Sequence, residues 1–321
     1  MQMHLQMQRQ KRVLVYNGFP FHYEMFGFIL DFCKKFNIEP TIINKVHNEG
    51  WLQLYKAKYQ FHYNTKLSED IESFSYVILL TDDDFHWPES LVTQNTICID
   101  HWYKCRRHSI QHHIPITQFQ KENPFYALPV FEYIPYAAKM QVLQEQKRPI
   151  ISLLGSSSLP LSNDFLSIIT NFRDFDIYII NHFINRDKEY LKLPNVYAFE
   201  NIDATHMFHL LFQSTYVYFY PAGHMKSYQQ LCNYVITAAM PLSFTTGCKF
   251  ILPRQMNETL QLSSVITYEF IPNSLTLPLK PYLEDTFDER ERLIHTRNNT
   301  ILKTMYDIDS KSLQSNPSTH Q

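Results

Sequence analysis

Apolar runs of four or five residues recur along this chain, and each gives way to a polar turn. Residues 13–16 (VLVY), 76–80 (YVILL), 150–154 (IISLL), 177–180 (IYII) and 216–220 (YVYFY) are the plainest. They lack the in–out alternation of a half-buried strand and are rich in β-branched and aromatic residues. Strands of that kind sit in parallel sheets covered by helices on both faces. Helical spacing follows several of them. After 13–16 the chain turns at Asn17-Gly18, then places Met25, Phe26, Ile29, Leu30 and Cys33 on one helical side. A further strand is expected at 41–43. Strand, Gly-containing turn, helix and strand form a βαβ opening.

The rest of the first half continues the pattern. A short helix is expected over 51–59, a strand over 59–63, a helical turn over 68–73 and a strand over 96–99. Residues 129–149 carry three prolines and a Gln-Glu-Gln-Lys-Arg run, a composition that suits a linker. At Pro149 the pattern restarts with strands at 150–154, 177–180 and 196–199. Asp203 then reads as a helix N-cap, with Met207, Leu210 and Leu211 at helical spacing behind it. A strand at 216–220, a loop at 221–227, a helix from Ser227 ended by Pro241, a turn at Thr246-Gly247 and a strand at 248–252 complete that half. A last strand is expected at 265–268 and a charged helix from Thr286 to Met305. The expected fold class is α/β, with two Rossmann-like domains facing a cleft. The expected division is a disordered tail at 1–11, a first domain at 12–135, a linker at 136–149, a second domain at 150–280, a C-terminal helix at 281–308 and a disordered tail at 309–321.

Composition removes several function classes. The formal charge of −2 gives no case for nucleic acid as a partner. Gly is scarce, with 6 residues, and no G-x-G-x-x-G occurs, which argues against a dehydrogenase. The five cysteines, at 33, 98, 105, 232 and 248, include no C-x-x-C and fit reduced thiols in a cytoplasmic protein. No apolar run approaches the ~20 residues of a membrane span. The N-terminus lacks a hydrophobic signal core. Asn257 and Asn298 each open a glycosylation sequon, read as chance matches.

In open α/β sheets ligands bind where strands end at their carboxyl side, so polar clusters there are the candidates. Gly18 would let backbone pass close to a ligand, or simply make a strand-to-helix turn. Asp82, Asp83 and Asp84 follow the strand at 76–80. Three adjacent carboxylates repel one another, and a cation or a basic partner relieves them. They read as a divalent-metal site or general base, or as a solvated loop. Asp100 and His101 end the next strand, and His101 is a candidate acid/base because imidazole titrates near neutral pH. Arg106 and Arg107 could grip a phosphate or carboxylate. His108, His112 and His113 lack an H-E-x-x-H context, so no zinc site is expected. Gly155, Ser156, Ser157 and Ser158 follow a strand and could cradle a phosphate, though without the P-loop lysine.

The order helix, strand, loop, helix, small-residue turn, apolar strand over 201–253 resembles the C-terminal domain of GT-B-fold glycosyltransferases. The resemblance implies a two-domain GT-B-like fold and transfer of a sugar from a nucleotide-sugar donor to a glycan, lipid or protein acceptor. It implies donor-phosphate contacts from Gly155, Ser156, Ser157, Ser158, His224, Lys226 and Ser227. Asp82, Arg106, Arg107 and Gly18 would lie on the acceptor side, and His101, Asp83 and Asp84 would be catalytic. No cofactor is expected beyond the donor as substrate, with a divalent metal admissible at Asp82–Asp84. One departure matters. Retaining members carry a glutamate on the helix after the loop, and this chain has no Asp or Glu from Ala204 to Asn257. The alternative is therefore a non-catalytic binding or structural protein on a degenerate GT-B scaffold. A GT-A-type transferase, suggested by the D-x-D match at 82–84, is opposed by the second Rossmann-like unit.

Overall fold

A computed structural model describes residues 10–18, 23, 25–80, 88–100, 110–115, 134–154, 169–181, 184, 189–219, 243–254, 257–258, 261–268, 276–280 and 282–315. These residues build two six-stranded sheets, and every strand pairing within them is parallel. The first sheet comprises β1 (Arg12–Asn17), β2 (Glu39–Asn44), β3 (His62–Asn64), β4 (Tyr76–Leu80), β5 (Thr96–Asp100) and β6 (His112–Pro115). Its spatial order is β3-β2-β1-β4-β5-β6. The second comprises β7 (Ile150–Leu154), β8 (Asp176–Asn181), β9 (Val196–Glu200), β10 (Tyr216–Phe219), β11 (Lys249–Pro253) and β12 (Ile266–Tyr268). Its order is β12-β11-β10-β7-β8-β9. Counted from each domain's own first strand, both sheets have the same doubly wound 3-2-1-4-5-6 order.

Burial explains the strands. All five residues of β4 are buried, which a strand covered on both faces requires. One apolar cluster joins Val13, Val15 and Ile42 of the first sheet to Phe26, Ile29 and Leu30 of α1 (Met25–Lys35). Leu14, Tyr16, Val77 and Leu79 fill the opposite face. Helix α2 (Glu49–Lys56) is capped by Asn48, whose side chain accepts from Trp51 N. Helix α4 (Ala204–Gln213), which comes after α3 described below, is capped as expected: the Asp203 carboxylate accepts from His206 N at 2.8 Å. Phe208, Leu210 and Leu211 form its buried side.

The structure departs from the expectations in four places. Residues 136–149, read as a linker, carry helix α3 (Tyr136–Glu145), which starts behind Pro135 and buries Lys139. His112 and His113, read as part of a His-rich segment, belong to edge strand β6. The final helix, α5 (Glu284–Ser315), runs past the expected end at 308 into the supposed tail. Buried Ile308 anchors that extension, and Asp309 accepts from Lys11 Nζ at 2.7 Å and the Tyr76 hydroxyl at 2.8 Å. The same contacts order Lys11, which had been placed in the N-terminal tail. Asn298, the start of one sequon, is buried on α5 and so closed to modification.

Helix α5 spans both domains. Near its start Lys249 pairs with Asp285 at 2.6 Å, and Glu289 accepts from the backbone and hydroxyls of Ser263 and Ser264. Farther along, fully buried Arg297 reaches Asp31 of α1 at 3.1 Å. The first set grips the second domain and the second set grips the first. Among the described residues no helix is long and apolar enough to cross a membrane.

Candidate functional site at the two strand-order switch points

Each sheet reverses its strand order once, between β1 and β4 and between β7 and β10. A crevice opens at such a point because the connections on either side run to opposite faces. In the first sheet Asn17 is in register with Leu80, so β1 and β4 end at the same level. Gly18 leaves from one and Thr81 from the other. In the second sheet Leu154 is in register with Phe219. Gly155 follows one and Tyr220 the other. Parallel register thus brings β1 level with β4, and β7 level with β10, at their carboxyl ends. β5 pairs with β4 in parallel and ends at the same edge.

Asp82, Asp83, Asp84, His101, Arg106, Arg107, Gly155, Ser156, Ser157, Ser158, His224, Lys226 and Ser227 lie outside the described residues. Gly18 lies within them. A Cβ there would come 3.1 Å from Tyr16 Cε1, tighter than an ordinary contact. A side chain at position 18 would require the Tyr16 ring to give by a few tenths of an ångström. Among the described residues no group of three or more His, Cys, Asp or Glu is placed to hold a metal.

The described residues show how the opposite, amino edge of the second sheet is braced. Lys139 of α3 is fully buried, and its Nζ donates to the carbonyls of Phe212 at 2.7 Å, Ser214 at 2.6 Å and Leu211 at 3.2 Å. These are carbonyls at the C-terminal end of α4, where a cation offsets the negative pole of the helix. Burial pulls the Lys139 pKa below the ordinary lysine value, and the neighbouring Cys248 sulfur, 3.7 Å away, works against this. Cys248 Sγ in turn donates to Leu211 O at 3.0 Å. Ser214 bonds Ser152 of β7, hydroxyl to hydroxyl, at 2.5 Å. The α4–β10 junction is thereby tied to β7, to β11 through Cys248, and to α3.

A second brace holds the helical turn at 243–245, which precedes β11. Gly247 sits at φ +70°, and a Cβ there would fall 2.3 Å from the Phe287 ring of α5. Arg290 stacks on that ring and donates to Ile134 O at 3.0 Å and Thr245 O at 3.1 Å. Sequence reasoning found the turn at Thr246-Gly247 but missed Lys139, Arg290 and Arg297. The signal lay in their settings: a lone cation within an otherwise uncharged stretch (Lys139) carries no pattern until its carbonyl partners are folded beside it.

Comparison with solved structures separates this double sheet from other doubly wound folds. No family model matches the sequence, and no curated protein matches it. A crystal structure of AviGT4, a glycosyltransferase involved in avilamycin A biosynthesis, is similar at a TM-score of 0.54 and 11% identity, over 92% of this chain and 97% of that one. The fold is GT-B-like. The Neisseria meningitidis UDP-GlcNAc 2-epimerase bound to UDP-GlcNAc scores 0.49 at 11% identity, covering 92% of this chain and 100% of that one. Anabaena Alr3699/HepE in complex with UDP and glucose scores 0.46 at 8% identity, covering 95% of this chain and 99% of that one. A GT-B-like architecture agrees with the return of α5 from the second domain to the first.

Proposed function

We propose that this protein is a glycosyltransferase that moves a sugar from a nucleotide-sugar donor to a hydroxyl-bearing acceptor. The supporting observation is the pair of equivalent doubly wound sheets, with the hydroxyl- and base-bearing segments 155–158 and 221–227 following β7 and β10 of the second sheet in the sequence. In this reading Gly155, Ser156, Ser157, Ser158, His224 and Ser227 bind the donor diphosphate. Lys226 offsets the charge that builds on the diphosphate as the glycosidic bond breaks. Asp82, Arg106, Arg107 and Gly18 lie on the acceptor side. His101, Asp83 or Asp84 accepts the acceptor proton as its oxygen attacks the anomeric carbon. A divalent cation at Asp82–Asp84 would supply further charge stabilisation. The first domain is taken as 12–135 and the second as 150–280.

The second reading is a non-catalytic nucleotide-sugar binder. It is favoured by the absence of any Asp or Glu from Ala204 to Asn257. Titration calorimetry separates the two readings. The wild type is titrated with UDP-glucose, UDP-N-acetylglucosamine and a panel of other nucleotide sugars, beside Lys226→Ala. For a transferase, Lys226→Ala lowers turnover more than donor affinity, by about tenfold to a thousandfold. A binder loses affinity alone. No binding to any nucleotide sugar at millimolar concentration overturns both.

A further inference from the structure

Five helices touch one another in a closed circuit. α1 meets α2 where the Phe26 and Tyr55 rings stand edge-on, with centroids 6.5 Å apart. α2 belongs to the first domain, yet it packs directly on α4 of the second. α4 is tied to α3 by the buried Lys139 ammonium, which donates to the Leu211 and Phe212 carbonyls. α3 meets α5 where the Tyr136 ring stands edge-on to Phe287 at 5.3 Å. α5 returns to α1, where the Arg297 guanidinium lies over the Phe28 ring and reaches Asp31 at 3.1 Å. The order α1-α2-α4-α3-α5 thus closes on itself. It crosses between the domains twice, once at α2–α4 and once along α5.

The core around this circuit is shared. One apolar cluster contains Ile42 of the first sheet, Tyr55 of α2, Phe208 of α4, Leu293 of α5, and Ile180 and Val217 of the second sheet. All six are buried. Relative motion of two domains is the default when a modest, polar interface joins them, and a large apolar interface removes it. Here the interface is continuous with the core of both halves. A hinge also needs one line of attachment and a free side. The α2–α4 contact and α5 are separate attachments, and the packed helices between them leave neither side free. A close-packed interior of this kind resists continuous deformation.

We infer that this circuit locks the two domains into one cooperative unit, with a cleft of fixed width. A ligand in that cleft is gripped by the segments that follow the strands, and no swing of one domain onto the other accompanies binding. The inference concerns the scaffold and does not rest on the transferase reading.

Two measurements on the full chain, without ligand, test it. In differential scanning calorimetry the ratio of calorimetric to van't Hoff enthalpy is expected to be about 1, as for a single domain. Two resolved transitions, or a ratio of about 2, overturn the inference. Native-state hydrogen exchange gives the second readout, with substitutions mild enough to keep the fold. Ile42→Val trims the shared cluster from the first sheet, and Ile180→Val trims it from the second. Each is expected to speed exchange of the slowest amides in β1, β4, β7 and β10 by the same factor, about two- to tenfold. Faster exchange confined to the sheet that carries the substitution overturns the inference. Small-angle X-ray scattering with and without millimolar UDP adds a third arm, and an unchanged radius of gyration is expected. Contraction on adding UDP overturns the inference and leaves the transferase reading standing.

Discussion

Gly247→Ala is expected to cost more than any other single-methyl addition in the described chain. Two terms contribute. The residue sits at φ +70°, where a side chain costs about 1–2 kcal/mol in the left-handed region. The new Cβ would also lie 2.3 Å from Phe287 Cζ and 2.6 Å from its Cε2. The ring cannot simply swing aside, because Arg290 stacks on one face and Tyr136 meets it edge-on. Overpacking of that kind adds about 1–3 kcal/mol. The sum is about 2–5 kcal/mol. An unfolding entropy of about 2.1 cal/mol/K per residue gives about 0.7 kcal/mol/K for the whole chain unfolding as one unit, and thus a fall in Tm of about 3–7 °C. Half the chain unfolding alone would double that figure. Differential scanning calorimetry reads it directly. The steric share is isolated by Phe287→Ala: combined with Gly247→Ala, the double variant should be about 1–3 kcal/mol more stable than the sum of the single losses predicts. A fall in Tm under 1 °C, or strict additivity in the cycle, would refute the argument.

Lys139→Met should lower stability by about 2–4 kcal/mol, since it strips donors from three carbonyls while sparing the burial of an ammonium; chemical denaturation measures it. Burial works to raise the Glu289 pKa, yet hydrogen bonds from Ser264 and Ser263 outweigh it and hold the carboxyl below its ordinary value. Its stabilisation is therefore complete above the unfolded pKa of about 4.5 and is lost as pH falls through the lower folded value. Melting temperatures from pH 7 down to pH 3 should show a shallower acid decline in Glu289→Gln than in wild type, with a lower starting point. Arg297→Met should loosen α5 from α1 by removing the contact with Asp31, seen as faster amide exchange from 297 to 309 with the 284–291 segment little changed. A uniform rise in exchange along the helix would contradict two separate grips.

The central strands were legible because burial on both faces leaves a compositional mark. Tyr76–Leu80 and Ile150–Leu154 contain no charged residue. β6 was not legible, because an edge strand with His112 and His113 needs apolar residues on one side only. Helix α3 was hidden by Pro135 and Pro149 and by Lys139, which reads as solvent-facing until the carbonyls of α4 are placed beside it. The extension of α5 past residue 308 depends on Lys11 and Tyr76, 298 and 233 positions from Asp309, and no local pattern announces contacts of such separation. For the candidate site, the sequence offers strand ends and polar runs, while most of the residues named for it lie outside the described residues. The carboxyl ends of the central strands at Leu80 and Leu154 were readable, whereas their common level with Asn17 and Phe219 emerges only from register between strands far apart in sequence.

Helix α5 is also a phase constraint on the gene. Its grips on the first domain, Arg297 and Asp309, are twelve positions apart on one uninterrupted helix. Each residue advances the helix by about 1.5 Å and turns it by about 100°. Loss or gain of a single codon between them would swing the Asp309 carboxylate away from Lys11 and Tyr76, whatever residue was involved. Substitutions on the exposed side of this interval are tolerable, whereas length changes are not. Only an indel near seven residues, close to two full turns, restores the angle, and it would still misplace the contact by about 10 Å along the axis. The length of this helix is therefore held more tightly than its surface composition.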